Sequence, residues 1–199
     1  YLAEARTFAD DNTGRDEKPV QVGRKNLRLL FDTEPAGDLV TLPLAAITRD
    51  SSGRYVLDKT FVPPCLRISA SDHLMEMLRR LVEILEEKSA ALSPAAARGQ
   101  SAKTWAEYST RDIANFWFLH SLHSALAALR HQYFTKQGHP EEVFLEMLRL
   151  GGALCTFSLD SHPSQLPLYD HRKLGQCFGA LENHILSHLE LVAPSNCVP

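Results

Sequence analysis

The chain has 199 residues, of which 44% are hydrophobic and 23% charged, a composition typical of soluble globular proteins with room for one large domain or two small ones. Its formal charge of -3, with both signs interspersed, supplies no basic footprint for nucleic acid. No apolar run approaches the roughly 18 residues of a membrane span, which argues against membrane insertion.

The first residue is Tyr1 rather than an initiator Met, and no signal-peptide pattern follows it, so the sequence reads as a segment of a longer protein. Four cysteines, Cys65, Cys155, Cys177 and Cys197, are widely spaced with no CxxC among them. That spacing fits neither a disulfide framework nor a zinc site. We read them as reduced, mostly buried thiols of a cytosolic protein.

Up to about Lys18 the chain is polar and acidic, with Asp10-Asp-Asn-Thr-Gly14 a turn signal. From Pro19 the period changes to two. Val20, Val22, Leu27, Leu29 and Phe31 alternate with mostly polar residues and Gly23 to Asn26 supplies a turn, which predicts strand, turn and strand. Leu39 to Arg49 predicts a third strand with Pro43 at an edge or bulge, and Asp50-Ser-Ser-Gly53 closes a hairpin onto Arg54-Tyr-Val-Leu57. Short strands joined by tight turns indicate a partial antiparallel sheet. Its apolar face needs a second layer, which we expect from residues upstream of Tyr1.

Phe61-Val-Pro-Pro-Cys65 ends the strand region, and Ser69-Ala-Ser71 supplies the N-cap of a first helix whose stripe is Leu74, Met77, Leu78, Leu81, Ile84, Leu85 and Leu92. Ser93-Pro-Ala-Ala-Ala-Arg-Gly-Gln100 breaks that pattern, and the segment to Tyr108 reads equally as loop or short helix. Ser109 and Asp112 then form a capping box opening a second helix that closes near Lys136-Gln-Gly138, with Gly138 as its C-terminal stop. His139-Pro140-Glu-Glu starts a third helix, with a core face of Val143, Met147, Leu150, Leu154 and Phe157 widened by Phe144 and Leu148, and with Gly151-Gly152 allowing a close backbone approach. Asp170 is expected to cap a fourth helix with the stripe Leu174, Cys177, Phe178, Leu181, Ile185, Leu189 and Val192, ended by Pro194. Short connections make this an antiparallel four-helix bundle. The fold class is therefore α+β, a partial antiparallel sheet followed by that bundle.

The second helix differs from the others because it carries two apolar stripes. Ile113, Phe116, Trp117, His120, Ser124, Ala127, Ala128 and Phe134 gather on one side; Phe118, Leu119, Leu122, Leu126, Leu129 and Tyr133 gather nearly opposite. Two stripes demand two partners. The small residues of the first stripe suit a close contact inside the bundle, which leaves Phe118, Leu119, Leu122, Leu126, Leu129 and Tyr133 as the candidate packing or oligomer interface.

No GxSxG, GxxxxGK[ST] or HExxH occurs, and no Glu-x-x-His pair supports a di-metal bundle, so we assign no catalytic, cofactor or metal residue and read the chain as non-catalytic. The alternative is a ligand-binding, metal-binding or regulatory bundle using His120 with His123 and His184 with His188. Spacings of three and four put each pair on one helix face, but neither has a carboxylate or thiol at ligand spacing on its own helix. The three rings Phe116, Trp117 and Phe118 read as packing for two separate cores rather than as a ligand box.

Asp11-Asn-Thr-Gly14, the run Val20-Gln-Val-Gly-Arg-Lys-Asn-Leu-Arg-Leu-Leu-Phe31, Val40-Thr-Leu-Pro-Leu44 and Phe61-Val-Pro-Pro-Cys65 resemble the second part of the shell domain of the TssK (ImpJ/VasE) family of type VI secretion baseplate proteins. Phe116-Trp-Phe-Leu-His120, His139-Pro140, Gly152-Ala-Leu-Cys-Thr-Phe157, Tyr169-Asp170 and Cys177-Phe178 are similar to that family's helical neck, in the same order. The resemblance implies that residues 1–68 are the end of a β-sandwich shell, 69–194 the neck bundle and 195–199 a linker toward a head domain. It also implies a homotrimeric structural adaptor, cytoplasmic and docked at the inner membrane, that links the baseplate wedge to the inner-membrane complex mostly through regions outside this chain.

Overall fold

The computed structural model describes residues 2–100 and 109–191. Among the described residues are two antiparallel strand pairs and four α-helices, an α+β arrangement. By its internal contacts it divides into two units, Tyr1–Thr41 and Leu42–Pro199.

In the first unit β1 (Leu2–Ala9) pairs antiparallel with β2 (Glu17–Arg24), from Leu2 opposite Arg24 to Ala9 opposite Glu17. The Asp10 to Gly14 turn forms as read, with the Asp10 carboxylate accepting from the Asn12 and Thr13 amides and Gly14 at φ 63°. Strand β1 has no counterpart in the sequence reading. Its segment, LAEARTFA, is mostly polar or small, and it is the ladder to β2 that makes it a strand.

Two expectations for this region are corrected. Gly23 lies inside β2, opposite Ala3, rather than in a turn, and residues 27–31 form no strand. Leu27, Leu29 and Phe31 alternate correctly yet stand 85%, 84% and 65% exposed. Alternation specifies two faces, but a strand also needs a ladder partner for its backbone groups, and none lies alongside among the described residues. The expected third strand likewise shrinks to its last three residues.

The second unit begins with that remnant, β3 (Ile47–Arg49), paired with β4 (Tyr55–Leu57). Asp50 builds the hairpin turn: its carboxylate accepts from the Ser52 and Arg54 amides and the Ser52 hydroxyl, and Gly53 takes φ 82°. These hydrogen bonds hold the Asp50 carboxyl below its ordinary range.

Helix α1 (Asp72–Gln100) opens on Ser71, whose hydroxyl accepts from the Leu74 amide. It passes through the stretch expected to break it, continuing beyond Ser93 and Pro94 to Gln100; residues 101–108 lie outside the described residues. Helix α2 (Thr110–Thr135) opens on the expected capping box, Ser109 with Asp112. Its stop is Lys136 in the left-handed region at φ 58°, not Gly138. Gly138 follows with a Cβ position 2.0 Å from the Gln132 side-chain oxygen, the mobile end of a flexible side chain that can swing aside.

Helix α3 (Pro140–Leu154) starts with Pro140 in its first turn and His139 as N-cap, Nδ1 accepting from the Glu141 amide. Helix α4 (Leu174–Leu191) starts later than expected. The Asp170 carboxylate closes a local turn onto the Arg172 amide instead of capping the helix. Val192, Pro194, Cys197 and the 195–199 segment lie outside the described residues.

The helices pack in a ring, α1 on α2, α2 on α3, α3 on α4 and α4 on α1. Leu74, Leu78, Leu81 and Leu85 of α1, Phe118, Leu122 and Leu129 of α2, Val143, Phe144, Met147 and Leu150 of α3, and Leu174, Phe178, Leu181 and Ile185 of α4 fill the core. Gly151 lets α3 approach α4, with Leu181 and His184 side-chain carbons 3.3 and 3.5 Å from where a Cβ would be. Cys155 and Cys177 are buried free thiols and Cys65 is half-buried; burial raises the Cys65 and Cys177 pKa values.

Candidate functional site

The two stripes of α2 meet different fates, and their orientation is the reverse of that expected from side-chain size. Phe118, Leu122 and Leu129 are fully buried in the chain's own bundle, and Leu119, Leu126 and Tyr133 pack partly buried against the same core. Phe118 meets Phe157 edge to face at 5.1 Å. The larger side chains go inward because the bundle centre has volume to fill. The first stripe is left at the surface: Ile113, Phe116, Trp117 and Phe134 are 44%, 46%, 55% and 63% exposed, and His120, Ser124, Ala127 and His131 are exposed with them.

That surface row has an order. Ile113, Trp117, His120, Ser124, Ala127, His131 and Phe134 follow one another by steps of four and three in strict alternation. This is the spacing of a coiled-coil seam, which keeps one narrow line of side chains facing a partner helix. The positions flanking it on one side, Ala114, Ser121, Ala128 and Thr135, are all small. No Asp or Glu occurs from Ile113 to Thr135, and the only full charge, Arg130, pairs with Glu86 of α1 at 3.2 Å and lies over the Phe134 ring at 5.1 Å. The face therefore carries no carboxylate, and the one full charge beside it is paired with Glu86.

The histidines singled out in the sequence fall on different helices. On α2, His120 lies edge-on to Trp117 at 5.8 Å, while His123 shares a hydrogen bond with Ser89 of α1 at 2.6 Å. On α4, His184 and His188 are 4.1 Å apart by ring centre; His188 bonds the His184 carbonyl through Nδ1 and Ser161 through Nε2. Burial, and then the neighbouring His188, lower the His184 pKa, and its Nε2 lies 3.6 Å from the Cys155 thiol. Among the described residues no three His, Cys, Asp or Glu are placed to hold a metal ion, and no helix is long and apolar enough to cross a membrane.

The sequence also matches a family model over residues 1–199, that of the bacterial type VI secretion proteins VC_A0110, EvfL, ImpJ and VasE. The chain belongs to this family. A curated relative, the type VI secretion system baseplate component TssK1 of Pseudomonas aeruginosa PAO1, is 25% identical over 181 residues. That alignment covers 89% of this chain but only 39% of the relative's length. Solved structures agree. TssK from EAEC in complex with a nanobody superposes with a TM-score of 0.76 at 29% identity, over 96% of this chain and 71% of that one. TssK in a TssK-TssF-TssG baseplate subcomplex gives 0.74 at 29% identity, over 94% and 58%. A crystal structure of TssK gives 0.77 at 26% identity, over 95% and 44%.

Proposed function

We propose that this chain is a non-catalytic structural segment of a type VI secretion baseplate component, and that the exposed row of α2 is where it packs against further copies of itself in a homotrimer. Residues 1–68 are the end of the shell domain, 69–194 the neck and 195–199 the way to a head domain. The assembled protein sits on the cytoplasmic side of the inner membrane, where its shell and head join the baseplate wedge, represented by TssF and TssG in the related subcomplex, to the inner-membrane complex. The observation that carries the self-association is the seam from Ile113 to Phe134, apolar at both ends and free of carboxylates, left uncovered while the opposite stripe fills the core.

Multi-angle light scattering on the whole protein tests this. A mass of three protomers is expected, reduced toward one protomer when Ala127→Glu places a charge in the middle of the seam. A stable wild-type monomer would overturn the reading.

A further inference from the structure

A parallel threefold coiled coil gathers the same residue from each protomer into one layer about the axis. On the α2 row, the layers after Trp117 are His120, then Ser124 and Ala127. Neither ring nitrogen of His120 has a hydrogen-bond partner among the described residues, whereas Nε2 of His123 and both ring nitrogens of His188 are engaged. The side chains below His120 are small, and the hydroxyls of Ser121 and Ser124 donate to the Trp117 and Ser121 carbonyls, leaving their oxygens free to accept from an imidazole N–H. His131 occupies a similar position, but the Arg130 guanidinium sits beside it in sequence and close to the next layer, Phe134, which disfavours a cation there.

We propose that three copies of His120, one from each protomer, form a site for a divalent transition-metal ion of the zinc or cobalt type. Three neutral imidazoles with an open fourth position are a recognised donor set for such ions. The single chain supplies one of the three ligands. Trp117 and its copies border the ring on one side. The inference rests on the trimer reading and adds to it a ligand that ties the three copies together.

The test uses the whole protein with any affinity tag removed, stripped with chelator and titrated with Co(II). Visible absorbance reads the metal and light scattering reads the mass of the same sample. About one Co(II) per three protomers is expected, lost in His120→Ala and retained in His131→Ala and His184→Ala. A trimer that takes up no Co(II) would overturn the ring while leaving the trimer standing. A monomer would remove both. Uptake of about one ion per protomer, or uptake indifferent to His120→Ala, would place the metal elsewhere and overturn the proposal.

Discussion

Gly175 and Gly152 show how the surroundings of one residue set the sign of a substitution. A Cβ on Gly175 would lie 2.7 Å from the Thr60 carbonyl oxygen, where the chain leaving β4 crosses the start of α4. Because the obstacle is backbone, one of the two segments must move, and Gly175→Ala is expected to lower stability by about 1–3 kcal/mol in urea unfolding. Gly152, inside α3, has nothing within 4 Å of the same position, so Gly152→Ala should raise stability by about 0.4–1 kcal/mol through the unfolded chain. His184 sets a pH dependence. Its folded-state pKa lies below the ordinary 6.5, so the unfolded chain takes up its proton first and stability is lost as pH falls from 6.5 toward the lowered value. Thermal melts of wild type and His184→Gln across that window should diverge, with the variant losing less. Equal slopes would mean that His184 is not the group responsible.

At the level of single elements, α2 separates the two ways a surface can be apolar. Leu122 is fully buried, so Leu122→Glu puts an unpaired charge among Leu, Phe and Met side chains and should cost several kcal/mol, visible as a lowered melting temperature and loss of near-UV circular dichroism. Ala127 is exposed, so Ala127→Glu should leave the secondary structure of the bundle intact while weakening assembly. The existence of both stripes was legible in the sequence because helical periodicity fixes which residues share a face. Which stripe turns inward was not, since that depends on the volume left by three other helices. Capping was legible at Ser109 and Pro140, where local hydrogen bonding decides the outcome, and less so at the end of α2, where Lys136 rather than Gly138 takes the left-handed position, and at Asp170, whose carboxylate closes a turn onto Arg172. The strand region was read least well, because the ladder that makes Leu2–Ala9 a strand, and its absence at residues 27–31, are both non-local.

For the whole molecule, the proposed trimer would couple folding to assembly through the exposed row bearing Ile113, Trp117 and Phe134. Each protomer that hides those side chains against its copies gains stability only in the assembled state, so the melting temperature must follow protein concentration by mass action. For a trimer that unfolds as it dissociates, each tenfold rise in concentration stabilises a protomer by two thirds of RT ln 10, about 0.9 kcal/mol. In a domain the size of this chain that is a shift of roughly 2–4 °C, and proportionately less where a longer chain unfolds as one unit. Calorimetry of the whole protein over a hundredfold range of concentration should therefore show a steady rise for wild type. Ala127→Glu, confined to the seam, should flatten the dependence without lowering the melting temperature of the dilute protein. His120→Ala should keep the dependence in chelator and lose only the extra stabilisation that Co(II) gives the wild type. A wild-type melting temperature indifferent to concentration would mean that the row is not the contact between copies, whatever the mass of the assembly.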